Sequence, residues 1–273
     1  MDVATADAAL RAWLDEDLGA GDLTSEAVVP AQARCTARLL LKEPGIVCGL
    51  AVAEAVFREL DPELEWESLH EDGERLEPCD LARISGRARA VLGGERLALN
   101  LLGRLSGIAT LTRAYVDEID GTGAAILDTR KTTPGLRALE KEAVRCGGGQ
   151  NHRFGLYDAI LIKDNHLLFA DGIAHAVERA RTTGVPVEVE CDTLAQVHEA
   201  LAAGADRILL DNMTPAELAE AVALADGRAE LEASGGITLQ NVRVVAATGV
   251  DFVSIGALTH SARSLDVSLE VLT

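Results

Sequence analysis

Apolar positions along this chain follow one rhythm up to about residue 110 and another after it. In the first part, Leu10, Trp13 and Leu14 share one face of a predicted helix that Gly19 ends. A turn-rich loop, DLGAGDLTSE, comes next. Strand-like stretches cover 33–41 and 82–92. In the second, Ile84, Gly86, Ala88 and Ala90 alternate with Arg83, Ser85, Arg87 and Arg89, the period of a half-exposed strand. Between them AVAEAVFREL reads as a helix. Grouped strands with helices beside them predict an α+β layer. A long helix is predicted from near Gly94, because Leu97, Leu101, Leu105, Ile108, Leu111, Tyr115 and Ile119 recur at helical steps. Gly103 and Gly107 thin one face of it, for close packing or for a hinge.

After Gly123, short apolar strands alternate with amphipathic helices. The strands are predicted at 124–128, 159–163, 187–190, 207–211, 230–233 and 252–256. Nearly continuous apolar strands separated by helices imply a parallel sheet buried on both faces. Six such units favour a barrel or partial barrel over an open doubly wound sheet. The absence of G-x-G-x-x-G after any strand weakens a dinucleotide-binding alternative.

At 273 residues the chain can hold one large domain or two. Its formal net charge of -19 disfavours nucleic acid and anionic membrane as partners. No apolar run approaches the roughly 20 residues of a membrane span. The N-terminus lacks the basic and apolar blocks of a signal peptide, so a cytoplasmic location is expected. Cysteines stand at 35, 48, 79, 146 and 191, with no C-x-x-C and no histidine at zinc-finger spacing. Neither a disulfide framework nor a structural zinc site is expected.

Against that acidic background, residues 126–166 gather Arg130, Lys131, Arg137, Lys141, Arg145, His152, Arg153, Lys163 and His166. Cations concentrated in an acidic protein point to a local pocket for a small polyanion. Arg137, Lys141 and Arg145 also fit a solvated helix face, since they repeat at helical spacing among Glu140 and Glu142. The others stand at predicted strand ends, where parallel barrels keep their active sites. Those ends read Asp128-Thr129-Arg130-Lys131, Lys163-Asp164-Asn165-His166, Glu190-Cys191-Asp192, Asp211-Asn212, Ser234-Gly235-Gly236 and Gly256-Ala257. Ser234, Gly235 and Gly236, with the helix behind them, suit a phosphate seat that Gly256 could close. Lys131 and Lys163 are point charges suited to phosphate; Arg130 and Arg153 are planar forks suited to carboxylate. Glu190 and Asp211 could hold Mg²⁺ beside substrate phosphates, or pair with the lysines as structural salt bridges. His152 is expected to face ligand. His166 could equally cap the segment after it.

The stretch DTRKTTPGLRALEKEAVRCGGGQNHRFGLYDAILIKDNH resembles the quinolinate phosphoribosyltransferase family. The likeness continues through EDLGAGDLTS, ERLALNLLGRLSGIAT, VEVE, LLDN, EASGGI and VSIGALTHSA, in order along nearly the whole chain. It implies an N-terminal α/β sandwich domain over 1–111, rejoined by a tail at 266–273. An incomplete, open α/β barrel of about six parallel strands would cover 112–265. Two subunits would complete each site, in a homodimer or higher even oligomer. The resemblance further implies that Arg130, His152, Arg153 and Lys163 contact quinolinate beside Thr129, with Lys131 close to both substrates. Arg96 would be donated by the partner subunit. Glu190 and Asp211 would lie near the ribose and Mg²⁺. Ser234, Gly235, Gly236, Ser254, Gly256 and Ala257 would form phosphate-binding turns. Leu97 and Glu142 depart from the family pattern, which favours Thr and Tyr there, but neither lies among these residues. The implied reaction joins quinolinate and phosphoribosyl pyrophosphate with loss of carbon dioxide, needs Mg²⁺ and uses no organic cofactor. A molybdenum-associated paralogue of the same fold and a Schiff-base aldolase using Lys163 are the alternatives.

Overall fold

The computed structural model describes residues 3–272. They form two compact units. One comprises the chain up to Leu111, Thr133–Gly148 and the chain from Ser261 onward; the other comprises Thr112–Thr132 and Gly149–His260.

The first unit begins with helices α1 (Val3–Leu18) and α2 (Leu23–Val28), strands β1 (Arg34–Leu41) and β2 (Gly45–Ile46), and helix α3 (Leu50–Leu60). Strands β3 (Glu65–Ser68), β4 (Arg75–Leu76) and β5 (Cys79–Arg87) lead into helix α4 (Ala88–Glu118). β3, β5, β1 and the C-terminal strand Val267–Leu272 make one antiparallel sheet in that order. Alternation along the strands turns Ala37, Leu39 and Leu41 of β1 and Ala82 and Ile84 of β5 inward. There they share a core with Phe57 of α3 and Leu102 of α4.

Three local expectations change. The loop after Gly19 contains α2, which Asp22 caps by accepting from the N–H groups of Thr24 and Ser25. Residues 88–92, which alternate like a strand, form the start of α4, so the long helix begins well before Gly94. Arg89 in that first turn donates to the carbonyls of Val29 at 2.7 Å and Glu26 at 3.0 Å. Gly94 also lets the helix close on α3, since a Cβ there would stand 2.9 Å from the Phe57 ring. Gly103 and Gly107 do not hinge α4, which is continuous through both; the backbone of Leu265 and Arg263 fills the space of their missing side chains.

The second unit carries β6 (Ala125–Leu127) and, after helix α5 (Arg137–Cys146) of the first unit, β7 (Ile160–Ile162), α6 (Asp164–Leu167) and α7 (Ile173–Arg181). Next come β8 (Val187–Cys191), α8 (Leu194–Ala203), β9 (Arg207–Asp211) and α9 (Pro215–Ala225). Then follow β10 (Glu230–Ser234), α10 (Val242–Ala246), β11 (Phe252–Ser254) and α11 (Ala257–His260), before the C-terminal strand β12 (Val267–Leu272) returns to β1. The six strands β6 to β11 are parallel, in the order β6-β11-β10-β9-β8-β7. A doubly wound sheet reverses its winding partway. This one steps in a single sense from β7 to β11 and then meets β6, the order of a barrel left open between β6 and β7.

Within the span 112–265, Thr133–Gly148 and 261–265 pack with the first compact unit. For Thr133–Gly148 the tie is an ion pair. Glu140 of α5 is fully buried, accepts from Arg104 Nε at 2.8 Å and from Thr133 N at 3.0 Å, and so ties α5 to α4. Among the described residues no helix is long and apolar enough to cross a membrane.

Candidate active site

Side chains alternate along a strand, so Glu188 and Glu190 of β8, Leu209 and Asp211 of β9, and Glu232 and Ser234 of β10 share one face of the sheet. At the strand ends that face opens on a cavity of about 430 Å³. The cavity gathers ten of the residues singled out in the sequence: Thr129, Arg130, Lys131, His152, Arg153, Lys163, Glu190, Asp211, Ser234 and Ser254.

Thr129, Arg130 and Lys131 follow β6, His152 and Arg153 precede β7, and Lys163 ends it. Arg153 donates from Nη1 to the Ala159 carbonyl at 3.2 Å. Its pKa is lowered, first by burial and then by the charge of Arg130. Two guanidinium groups thus repel in a half-buried place, and an anion between them would relieve the strain. Lys163 pairs with Glu190 across the β7–β8 edge. The Lys131 stem lies against Gly256, where a Cβ would come 3.0 Å from Lys131 Cδ. Thr259 Oγ1 donates to the Lys131 carbonyl at 2.7 Å and fixes this backbone on α11. Gly256 therefore makes room for a lysine.

The turns after β9 and β10 interlock. Asn212, left-handed at φ 56°, donates its N–H to the Ser234 carbonyl at 2.8 Å. Gly235 has φ +95°, and a Cβ on it would meet Asn212 N at 3.0 Å, so the position requires glycine. Gly236 also has positive φ, with open space where a side chain would be. The helix that follows this pair, α10, starts only at Val242, so its N-terminus does not adjoin the glycines. Ala257 opens α11 immediately after Gly256.

Below the cations lies a carboxylate pair that the sequence reading missed. His152 Nε2 is 3.1 Å from Glu188 Oε2 and 3.5 Å from Glu232 Oε2. Burial pulls the imidazole pKa down, but the hydrogen bond to Glu188 and the charges of Glu232 and Glu188 outweigh it, and the net shift is upward. Burial and the Glu188 charge push the Glu232 carboxyl up to about 7 against the pull of His152. Arg207 Nη1 stands 3.6 Å from the same Glu232 oxygen. Both glutamates sit inside VEVE and ELEA, which read simply as apolar strands. A carboxylate inside such a run was the available signal. The three donor atoms of His152, Glu188 and Glu232 lie within 4.8 Å of one another, a spacing that a divalent ion could bridge. Arg207 and the imidazole already supply positive charge there. Glu190 and Asp211 fit Mg²⁺ better: they line the open cavity on paired strands, where phosphate oxygens could complete the shell.

Arg96 lies outside this group, exposed on α4 in the first unit and without an ion pair among the described residues. His166 Nδ1 accepts from Lys163 N at 2.9 Å, so the capping reading holds for it. Cys191 is buried, and burial pushes its thiol up to about 12, which removes it as a nucleophile.

An incomplete parallel barrel whose strand ends ring a cavity with cations, two carboxylates and glycine turns defines a barrel enzyme for phosphorylated, anionic substrates. The domain descriptions "Quinolinate phosphoribosyl transferase, N-terminal domain" and "C-terminal domain" match residues 22–106 and 108–270. The chain belongs to the quinolinate phosphoribosyltransferase family. It is 47% identical to the probable nicotinate-nucleotide pyrophosphorylase [carboxylating] of Bacillus subtilis, over 94% of this chain and 90% of that one. It is 46% identical to the Mycobacterium leprae enzyme of that name, over 96% and 95%. The crystal structure of NadC from Streptococcus pyogenes superposes with a TM-score of 0.95 at 40% identity, covering 100% of this chain and 99% of that one.

Proposed function

We propose that this enzyme transfers the phosphoribosyl group of phosphoribosyl pyrophosphate to quinolinate with decarboxylation, giving nicotinate mononucleotide, pyrophosphate and carbon dioxide for NAD synthesis. The observation that carries this reading is the convergence of Arg130, His152, Arg153 and Lys163 on one cavity that also holds Glu190, Asp211 and Ser234. Four basic groups exceed what a single carboxylate needs and suit the two of quinolinate. In the reaction, the pyridine nitrogen bonds to C1 of the ribose while the C1–O bond to pyrophosphate breaks and its electrons leave with pyrophosphate. Positive charge develops on the ribose ring, where Glu190 and Asp211 stabilise it. The carboxylate beside the cationic nitrogen then departs as carbon dioxide, and the electron pair left on carbon takes up a proton. Glu190 and Asp211 would also hold Mg²⁺, which shields the charge of the leaving pyrophosphate.

The active unit is a homodimer in which Arg96 of one subunit completes the cavity of the other. Support comes from the exposure of Arg96 and from Leu156, Tyr157, Leu168 and Phe169, which are 72–85% exposed on the loops flanking β7. Large apolar side chains left so exposed suit burial against a second copy. Five free cysteines suit a reducing compartment, which supports a cytoplasmic location.

One assay tests the reaction: quinolinate, phosphoribosyl pyrophosphate and Mg²⁺, with carbon dioxide and mononucleotide followed together. Both should appear at equal rates, and nicotinate should be a poor replacement because it leaves cations unpaired. Equal efficiency with nicotinate would overturn the substrate assignment. An imine trapped by borohydride on Lys163 would move the protein to the aldolase class.

A further inference from the structure

The barrel is open between β6 and β7, and the free edge of β6 is occupied by a single residue. Gln150 pairs with Leu127 in parallel: its N–H donates to the Ile126 carbonyl at 2.8 Å, and its carbonyl accepts from Asp128 N at 3.1 Å. The next residues are Asn151, His152 and Arg153, and the Arg153 bond to Ala159 ties the far end of the segment to the start of β7. This seam therefore carries two of the four basic groups assigned to quinolinate.

One side chain fixes it. Asp128, fully buried directly after β6, accepts from the His152 N–H through Oδ1 at 2.9 Å and from Asn151 Nδ2 through Oδ2 at 2.5 Å. Both groups donate here and the carboxylate accepts from both; an amide at 128 would lose the charge of these bonds and could keep both only if the Asn151 amide turned over. A buried carboxylate is kept only when such bonds satisfy it. We propose that Asp128 is a positioning residue for quinolinate: it latches the Asn151–His152 backbone to the end of β6 and so holds His152 and Arg153 in the cavity. The proposal rests on the quinolinate reading of that cavity. It differs from a general stabilising role because the phosphate-side residues, Asp211, Ser234 and Gly256, stand on β9, β10 and the turn after β11 and do not use the latch.

Asp128→Asn should raise the quinolinate KM by about 10- to 100-fold, the loss typical of a charge-assisted hydrogen bond. The phosphoribosyl pyrophosphate KM should change by less than about threefold on the same reasoning. Adding Asn151→Asp reverses the donor and acceptor and should recover most of the loss. Equal loss for both substrates, or no rescue by the swap, overturns the proposal. If Asp128→Asn does not fold, Asn151→Ala removes one arm only and should show the same selectivity at smaller size; its absence is equally decisive. Hydrogen exchange separates this idea from the substrate assignment. In Asp128→Asn, or in Asn151→Ala if the former fails to fold, amides at 150–153 should exchange faster while those of β9 and β10 stay unchanged, whatever the substrate proves to be. Unchanged exchange at 150–153 removes the latch, whereas loosened exchange in a protein inactive on quinolinate removes only the substrate assignment.

Discussion

His152 Nε2 and Glu232 Oε2 lie 3.5 Å apart under the cavity, and Glu232 is fully buried. Both groups titrate above their ordinary values in the folded protein, from 4.5 to about 7 for Glu232 and upward from 6.5 for His152. Each contributes stability that is complete below its ordinary value and is lost as pH rises through its folded value. Glu232 should therefore cost the protein stability as pH rises from 4.5 to about 7, and His152 adds to the loss above 6.5. Glu232→Gln stays neutral throughout. Urea unfolding across that range should show a flatter profile for the variant, with a difference on the order of 1–3 kcal/mol. Parallel profiles would exclude Glu232 as the titrating group.

Lys131 is exposed, with only its stem against Gly256, so Lys131→Ala removes charge without opening the core. Turnover should fall by roughly 10²-fold or more. Lys163→Ala should do the same and additionally leaves Glu190 without its partner. Circular dichroism has to stay native in both. Near-normal turnover in folded Lys131→Ala would contradict its place beside the substrates.

Glu190→Ala and Asp211→Ala should blunt the Mg²⁺ dependence of turnover more than they weaken quinolinate binding. Asp211 accepts from Asn212 Nδ2 at 2.6 Å and keeps a second oxygen for the cavity. Glu190 already faces Lys163, so its removal frees a cation that quinolinate can use. Titrating Mg²⁺ at fixed substrate, with quinolinate binding measured separately, checks this. A normal Mg²⁺ response with lost quinolinate binding would reverse the roles.

The strand ends were legible because barrels put polar groups there: Lys163, Glu190 and Asp211 close apolar runs, and Arg130 and Lys131 follow just after one. Glu188 and Glu232 were not, since they lie inside the same strands and only the face they share shows that they meet His152. The start of α4 misled for a related reason: its first turn continues the arginine–alanine alternation of β5, and period alone cannot separate one helical turn from two more strand residues. The placement of Thr133–Gly148 depends on the buried Arg104–Glu140 pair, a contact between residues 36 apart that no local pattern announces.

The assignment of Arg96 to a neighbouring subunit's site is open to a genetic test. Arg96→Ala and Lys163→Ala should each be inactive alone. When the two proteins exchange subunits, a mixed dimer has one site with both native residues and one with neither. Random exchange at equal amounts makes about half of the dimers mixed, so activity should return to about one quarter of the parent level by that symmetry. Intact-mass or tag-based detection of mixed dimers must accompany the assay. If mixed dimers form and no activity returns, Arg96 serves its own subunit's site or none, and the shared-site dimer fails.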